Sequence, residues 1–305
     1  MIIIDDKYKR VADFCFELCR LAKVPLHFSK FSNKIYSNFK HIFLLVYKQS
    51  RRFTYEDLFT DLANNKELKA YLGLNKLPHY TTLIKFAKRL PSSILDKLCI
   101  AFKYIIPRPK KVAIDATGIT LDNASPHYCK RINLPVKKRP FLKSTFIVDI
   151  ENHIILLPKF RKKARHDLID GKPLVRKLAK HYDPEAFYAD RGYDSDEFFE
   201  IVFEVLGAYP LIFQRNQDVP KYKRFGRYRK ETFDVFDYGE YLNRNNVETV
   251  NSIFKKMFGH NIKSRHEKMQ KVEAITRVIA YNIDRLVRMG RTVILIFIKI
   301  TRISY

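Results

Sequence analysis

Four residues at helical spacing, Tyr241, Arg244, Glu248 and Lys255, put an aromatic hydroxyl, two cations and one carboxylate within reach of one another. Wound as one α-helix at about 100° per residue, the segment brings all four into a sector roughly 60° wide. Val247, Val250, Ile253, Phe254 and Met257 gather on the opposite side as a core stripe. An acid among cations on a helix face can be a salt-bridged surface row. It can also be a helix that carries one carboxylate to a metal and its cations to phosphate.

The upstream acids bear on the choice. Val112-Ala113-Ile114-Asp115-Ala116-Thr117-Gly118 reads as a buried strand with an acid in it, and an unpaired buried acid is costly. Ala186 to Asp190 reads as a further strand with an acid at its end, where Asp190 can cap a turn or pair with Arg191. The competing acids Asp122, Asp149, Asp167, Asp183, Asp194 and Asp196 sit better in turns or helix starts. Adjacent strands can bring Asp115 and Asp190 side by side, and a helix packed on the sheet can deliver Glu248. Three carboxylates stay ionised together only if cations share the site, and hard oxygen ligands favour Mg²⁺ or Mn²⁺. Two such ions about 3.5–4 Å apart clamp an in-line phosphoryl displacement.

The elements that must position these acids are read from the apolar period. Phe141 to Ile150 and Ile154 to Pro158 read as a hairpin, Leu168 to Lys180 as a helix, Glu197 to Leu206 as a helix capped by Asp194 to Asp196, and Ala208 to Phe213 as a last strand. A final helix puts Val272, Ile275, Ile279, Ile283 and Leu286 on one side. Between 215 and 238 lies a basic insert, with Lys221, Lys223, Arg224, Arg227, Arg229 and Lys230 among Tyr222, Phe225 and Tyr228. Interleaved cations and aromatics suit a nucleic-acid backbone and unstacked bases, or form a solvated basic loop.

Pro107 to Lys111 reads as a linker after a helical region over 1–106. There Thr54 with Asp57 signals a helix start, Gly73 a helix end, and Pro91 a stop, with Ser92 able to cap the next helix. A helix from about Thr81 to Leu90 turns Leu83, Ile84, Ala87 and Leu90 inward and Thr81, Thr82, Lys85, Lys88 and Arg89 outward. This pattern fits a helix-turn-helix over about 55–105 that lays its basic face on DNA, or an ordinary small bundle.

Composition favours a polyanionic partner. Lys and Arg number 58 against 32 Asp and Glu, a net charge of +26, which costs self-repulsion unless nucleic acid or an anionic surface shares it. No apolar run approaches the roughly 20 residues of a spanning helix. Val293 to Ile298 is too short, and acids follow the apolar start at once, unlike a signal peptide. A cytoplasmic, nucleoid-associated protein without membrane contact is expected. Cys15, Cys19, Cys99 and Cys129 lack zinc-site spacing and read as buried thiols. There is no Walker loop and no Gly-x-Gly-x-x-Gly.

At these residues the chain resembles the DDE transposases of bacterial and archaeal insertion sequences, in the group marked by Y-x2-R-x3-E-x6-K. That signature stands as Tyr241, Arg244, Glu248 and Lys255. The second block, Asp-x-Gly-Tyr, stands as Asp190 to Tyr193, and the first as Asp115-Ala116-Thr117-Gly118. His166-Asp167 is similar to a recurring segment of such proteins. The resemblance covers roughly 75–288. It implies an α/β fold, a ribonuclease H-like mixed sheet with flanking helices over 107–290, preceded by the all-helical region. It also implies a metal-binding catalytic triad of Asp115, Asp190 and Glu248, two Mg²⁺ or Mn²⁺ ions, and cutting and joining of double-stranded DNA at element ends and target. Tyr241, Arg244 and Lys255 would hold DNA near the scissile phosphate, and synapsis of two ends implies a homodimer on DNA. The tail 291–305 matches nothing in the family, which keeps an inactive DNA-binding relic or repressor in view beside a host nuclease of the same fold.

Overall fold

The computed structural model describes residues 6–32, 34–121, 131, 141–163, 165–216 and 218–291. Asp122, Cys129 and the tail from 292 onward lie outside the described residues. The N-terminal region is helical: α1 (Asp6–Leu21), α2 (Asn38–Ser50), α3 (Tyr55–Asn64), α4 (Lys66–Tyr71), α5 (Tyr80–Arg89) and α6 (Ser92–Ala101). Thr54 and Asp57 exchange side-chain-to-backbone bonds and close a capping box on α3. Gly73, at φ 58°, follows α4 in the left-handed conformation. Ser92 is not the cap expected of it. Pro91 occupies that position, its fixed φ already suited to the extended entry, and Ser92 is the first helical residue. In α5, Leu83, Phe86 and Ala87 are buried, and Ile84 is only half-buried.

The sheet is built from β1 (Lys111–Leu121), β2 (Phe141–Asp149), β3 (Ile154–Arg161), β4 (Ala186–Ala189), β5 (Tyr209–Ile212) and β6 (Asn261–Ile262). Its order is β3-β2-β1-β4-β5, with β6 pairing the far end of β1. The β3-β2-β1 half is antiparallel, and β4 and β5 add parallel to β1. That is the ribonuclease H-like mixed sheet with flanking helices, preceded by a helical region. The flanking helices are α7 (Asp167–Leu178), α8 (Asp196–Glu200), α9 (Arg227–Phe233), α10 (Tyr238–Tyr241), α11 (Asn245–Phe258) and α12 (Glu267–Arg288).

Two elements differ from their sequence reading. The helix expected over 197–206 is α8 followed by a π-helical stretch, Ile201–Val205. The single helix expected from Tyr241 to Lys255 is α10, a 3-10 turn at Leu242–Arg244, and α11.

The last helix ties the halves together. α12 packs on α1, α2 and α6 as well as on β3. α2 carries six consecutive residues, Ile42 to Tyr47, at most 2% exposed, so it is enclosed on all sides and not merely on one stripe. Asn282 of α12 donates to Ile155 O at 2.8 Å and accepts from Ile155 N at 3.0 Å, satisfying backbone groups of β3. Among the described residues no helix is long and apolar enough to cross a membrane.

Candidate active site

Asp115 and Asp190 meet through strand register. β1 pairs β4 in parallel with Ile114 opposite Ala189, so the next residue on each strand is Asp115 and Asp190. Neighbouring strands run about 4.8 Å apart, which sets the two acids side by side at the carboxyl end of β4. Asp190 caps a 3-10 turn, its Oδ1 accepting from Gly192 N at 2.9 Å. Arg191 does not pair with it; that guanidinium lies over the Phe213 ring, 4.9 Å from its centroid.

The Asp-x-Gly-Tyr block now has a steric reason. A Cβ on Gly192 would stand 2.9 Å from Asp190 Oδ1 and 3.2 Å from Asp167 Oδ2. Tyr193 is fully buried against Gly171 and Phe198. Its hydroxyl is held well above its ordinary pKa by burial, then by Asp167, Asp115, Asp190 and Asp170, so four acids surround one ring.

The helix α11 supplies the rest. Glu248, in its first turn, is exposed and ion-paired with Arg244 Nη1 at 2.6 Å. Arg244 Nη2 lies 3.5 Å from Asp115 Oδ1, so one guanidinium links two acids of the expected triad. Asn251 Nδ2 donates to Asp115 Oδ2 at 2.8 Å. Lys255 Nζ donates to Thr117 Oγ1 at 2.5 Å. Asp115 and Thr117 share one face of β1, and Asn251 and Lys255 one face of α11, so the helix tracks the strand. Tyr241 turns instead into an aromatic cluster, its ring 5.3 Å from Phe236 and 5.5 Å from Phe213.

The Asp115 carboxyl is pushed up to about 6, first by burial, with Arg244 opposing and Asp190 and Glu248 adding to the rise. Carboxylate oxygens that crowd negative charge suit a hard divalent cation. Among the described residues no three acidic, histidine or cysteine side chains stand close enough to hold one ion. Glu248 is drawn to Arg244 instead. The pair is 57% exposed on the acid's side and 14% on the guanidinium's, and a divalent charge between the carboxylates would compete with Arg244 for Glu248.

Sequence reasoning missed Asn251 and Asp170, and read Asp167 only as an acid at a helix start. Asn251 lies on the stripe Val247, Asn251, Phe254, Phe258, where a lone amide among apolar residues was the available signal. Asp170 is buried and held by Arg161 through bonds of 2.7–3.1 Å. Lys143 pairs with Asp167 at 2.5 Å and lies 3.9 Å from Asp170. His166 accepts from Leu168 N and caps α7.

The expected DNA-contact residues lie in three places. Lys85, Lys88 and Arg89 are exposed on α5, and Thr81 and Thr82 are half-buried at its start. In the insert, Lys221 pairs with Asp234 and Arg227 with Glu231, while Lys223 stays exposed. Arg229 is held by Asp194 through bonds of 2.7 and 2.8 Å, and Arg224 is buried over the Phe233 ring at 3.5 Å. These last two brace the insert itself. Asp196 accepts from the amides of Arg227 and Arg229, capping α9 from α8. Cys15, Cys19 and Cys99 are buried and free.

Comparison with known proteins bears on the family and the fold. No curated protein matches the sequence significantly. Among solved structures, the chain is similar to the piggyBac transposase synaptic complex with hairpin DNA, at a TM-score of 0.50 and 10% identity, covering 94% of this chain and 74% of that one. At that identity the likeness speaks for the fold alone. The family profile described as "Transposase DDE domain" matches residues 106–283, more than half the chain. DDE transposases generally use divalent metal ions. The chain therefore belongs to the DDE transposase family and is a DNA transposase.

Proposed function

We propose that this transposase hydrolyses a phosphodiester bond at each end of an insertion sequence of the Y-x2-R-x3-E-x6-K group and joins the freed 3′-hydroxyl to target DNA. Asp115, Asp190 and Glu248 are the catalytic carboxylates. The observation that carries this is the register that sets Asp115 beside Asp190, with Asp115 pushed up to about 6 by burial first and by Asp190 and Glu248 in addition.

Asp115, Asp190 and Glu248 would hold two Mg²⁺ or Mn²⁺ ions. When bound there, the ions supply activation of the attacking oxygen and charge stabilisation at the leaving one. The chain's own residues orient the reactants. Asn251 fixes one oxygen of Asp115. Arg244, released from Glu248, turns its guanidinium to a DNA phosphate, with Lys255 one helical stretch further along. Tyr241 lines the approach. The region 1–106 binds the element's ends, through the helix-turn-helix at about 55–105 and the face Thr81, Thr82, Lys85, Lys88 and Arg89. Residues 107–290 form the catalytic domain, and Lys221, Lys223 and Arg227 in the insert 215–238 follow the backbone. Two copies on DNA bring two ends together.

The test is cleavage of DNA carrying the element's ends, with Mg²⁺ or Mn²⁺, by the wild type and by Glu248→Gln. Metal-dependent nicking at the ends that the variant loses supports the reading. Binding without cleavage by either protein, in both metals, supports instead an inactive relic or repressor. The present pairing of Arg244 with Asp115 and Glu248 is the observation that favours that second reading.

A further inference from the structure

A cavity of about 260 Å³ opens between α2, the C-terminal end of α11 and the start of α12. Its ionisable lining is Lys48, Arg52, His260, Lys263, Arg277 and one acid, Glu273. Glu273 is already engaged, accepting from the amides of Lys263 and Ser264 at 3.1 and 2.9 Å and from Arg277 Nη2 at 2.6 Å. Arg277 is 3% exposed, and its Nε and Nη1 have no partner. Lys48 is 8% exposed, sits over the Tyr55 ring at 4.7 Å, and has no carboxylate within ion-pairing distance among the described residues. Burial is the first cause that lowers the pKa of both groups. Arg52 donates to Lys256 O and Met257 O, which takes the negative end of α11 out of the cavity.

Buried cations in surplus, one of them with two unpaired donors, are a site built for an anion. The donors are an ammonium and guanidinium groups, which match the several oxygens of a phosphate. On the transposase reading, the cavity also lies within reach of a duplex that passes Glu248. From Glu248 to the end of α11 is about 15 Å at 1.5 Å per residue, or about four to five base pairs of duplex at roughly 3.4 Å each.

We propose that this cavity seats one phosphate of the DNA backbone, anchoring the duplex where α2 meets the Glu248 helix. The source of the phosphate rests on the transposase reading above; the chemistry is shared with free phosphate.

The experiment uses the full chain with Lys48→Met, which fills the same buried volume without charge, and Lys263→Gln at the exposed rim. Two quantities are read: the salt dependence of duplex binding, and the melting temperature in inorganic phosphate against chloride at equal ionic strength. The expected result is a slope of log K against log salt shallower by about 0.9 in each variant. The wild type's phosphate-induced rise in melting temperature should also be lost in Lys48→Met. A phosphate-induced rise with unchanged slopes overturns the DNA source and leaves a free-phosphate site. No rise and unchanged slopes overturn the anion site. A wild type that binds no DNA sinks the transposase reading and the DNA source together, while the phosphate melt still reads the cavity's chemistry.

Discussion

Asn251 and Arg244 divide the carboxylate of Asp115 between them. The amide of Asn251 donates to Oδ2 at 2.8 Å, and the guanidinium of Arg244 stands 3.5 Å from Oδ1. One oxygen is thus held by a neutral donor and the other faces a charge shared with Glu248. Replacing Asn251 by Leu keeps the volume and frees Asp115 to rotate. Cleavage should fall about 10- to 100-fold, as when a group orienting a metal ligand is lost, with end-binding unchanged. Wild-type cleavage by Asn251→Leu would end the positioning role.

Asp115 also makes the fold sensitive to pH. Its folded pKa, about 6, lies above its ordinary value of 3.8. The folded state therefore binds the proton more tightly than the unfolded chain. The resulting stabilisation is full below the ordinary value and is lost as pH rises through about 6. Asp115→Asn, which carries no charge to desolvate, should gain on the wild type by about 2–3 kcal/mol between pH ~4 and pH ~8 without divalent metal. Thermal melts of both proteins across that range decide it; a constant difference refutes the assignment.

Gly192 is constrained by acids and not by backbone angle. A methyl there meets Asp190 Oδ1 at 2.9 Å and Asp167 Oδ2 at 3.2 Å. Gly192→Ala should displace Asp190 and cost about 1–3 kcal/mol of stability, as overpacking does. Cleavage should drop much further than folding. A variant that melts lower and cleaves normally contradicts this.

The Arg161–Asp170 pair is buried on the acid's side, 1% exposed. Removing Arg161 leaves the buried Asp170 with Lys143 alone, 3.9 Å away. Arg161→Met should cost about 3–5 kcal/mol, and Arg161→Met with Asp170→Leu should recover most of it. Denaturant unfolding of the single and double variants measures this directly.

On α5, Lys85 and Arg89 are exposed and make no ion pair among the described residues. Lys85→Ala with Arg89→Ala should make the salt slope of end-binding shallower by about 1.8, two phosphate contacts' worth. An unchanged slope removes α5 from the DNA interface.

The strands and their acids were legible because each is a short apolar run with a single carboxylate, and the capping box at Thr54 because its two residues are local. Glu248, Arg244 and Lys255 were legible through helical spacing, although that spacing crosses a 3-10 turn, because the residues from Tyr241 to Asn245 stay right-handed throughout. Asn251 was hidden because its partner is 136 residues away in the sequence. Arg224 and Arg229 read as free cations because composition cannot say that Phe233 and Asp194 fold back onto them. The Asp170 network was hidden for the same reason: its members come from β2, β3 and α7, and only the fold brings them together.

The packing of α12 on α1, α2 and α6 also sets an order of assembly. The apolar surface of α2 is enclosed only when residues 267–288 arrive, more than 200 positions later in synthesis. The amino-terminal helices therefore reach their fully packed state only through contacts of high sequence separation. A chain ending before α12 would leave the faces of α1, α2 and α6 that this helix covers open to water.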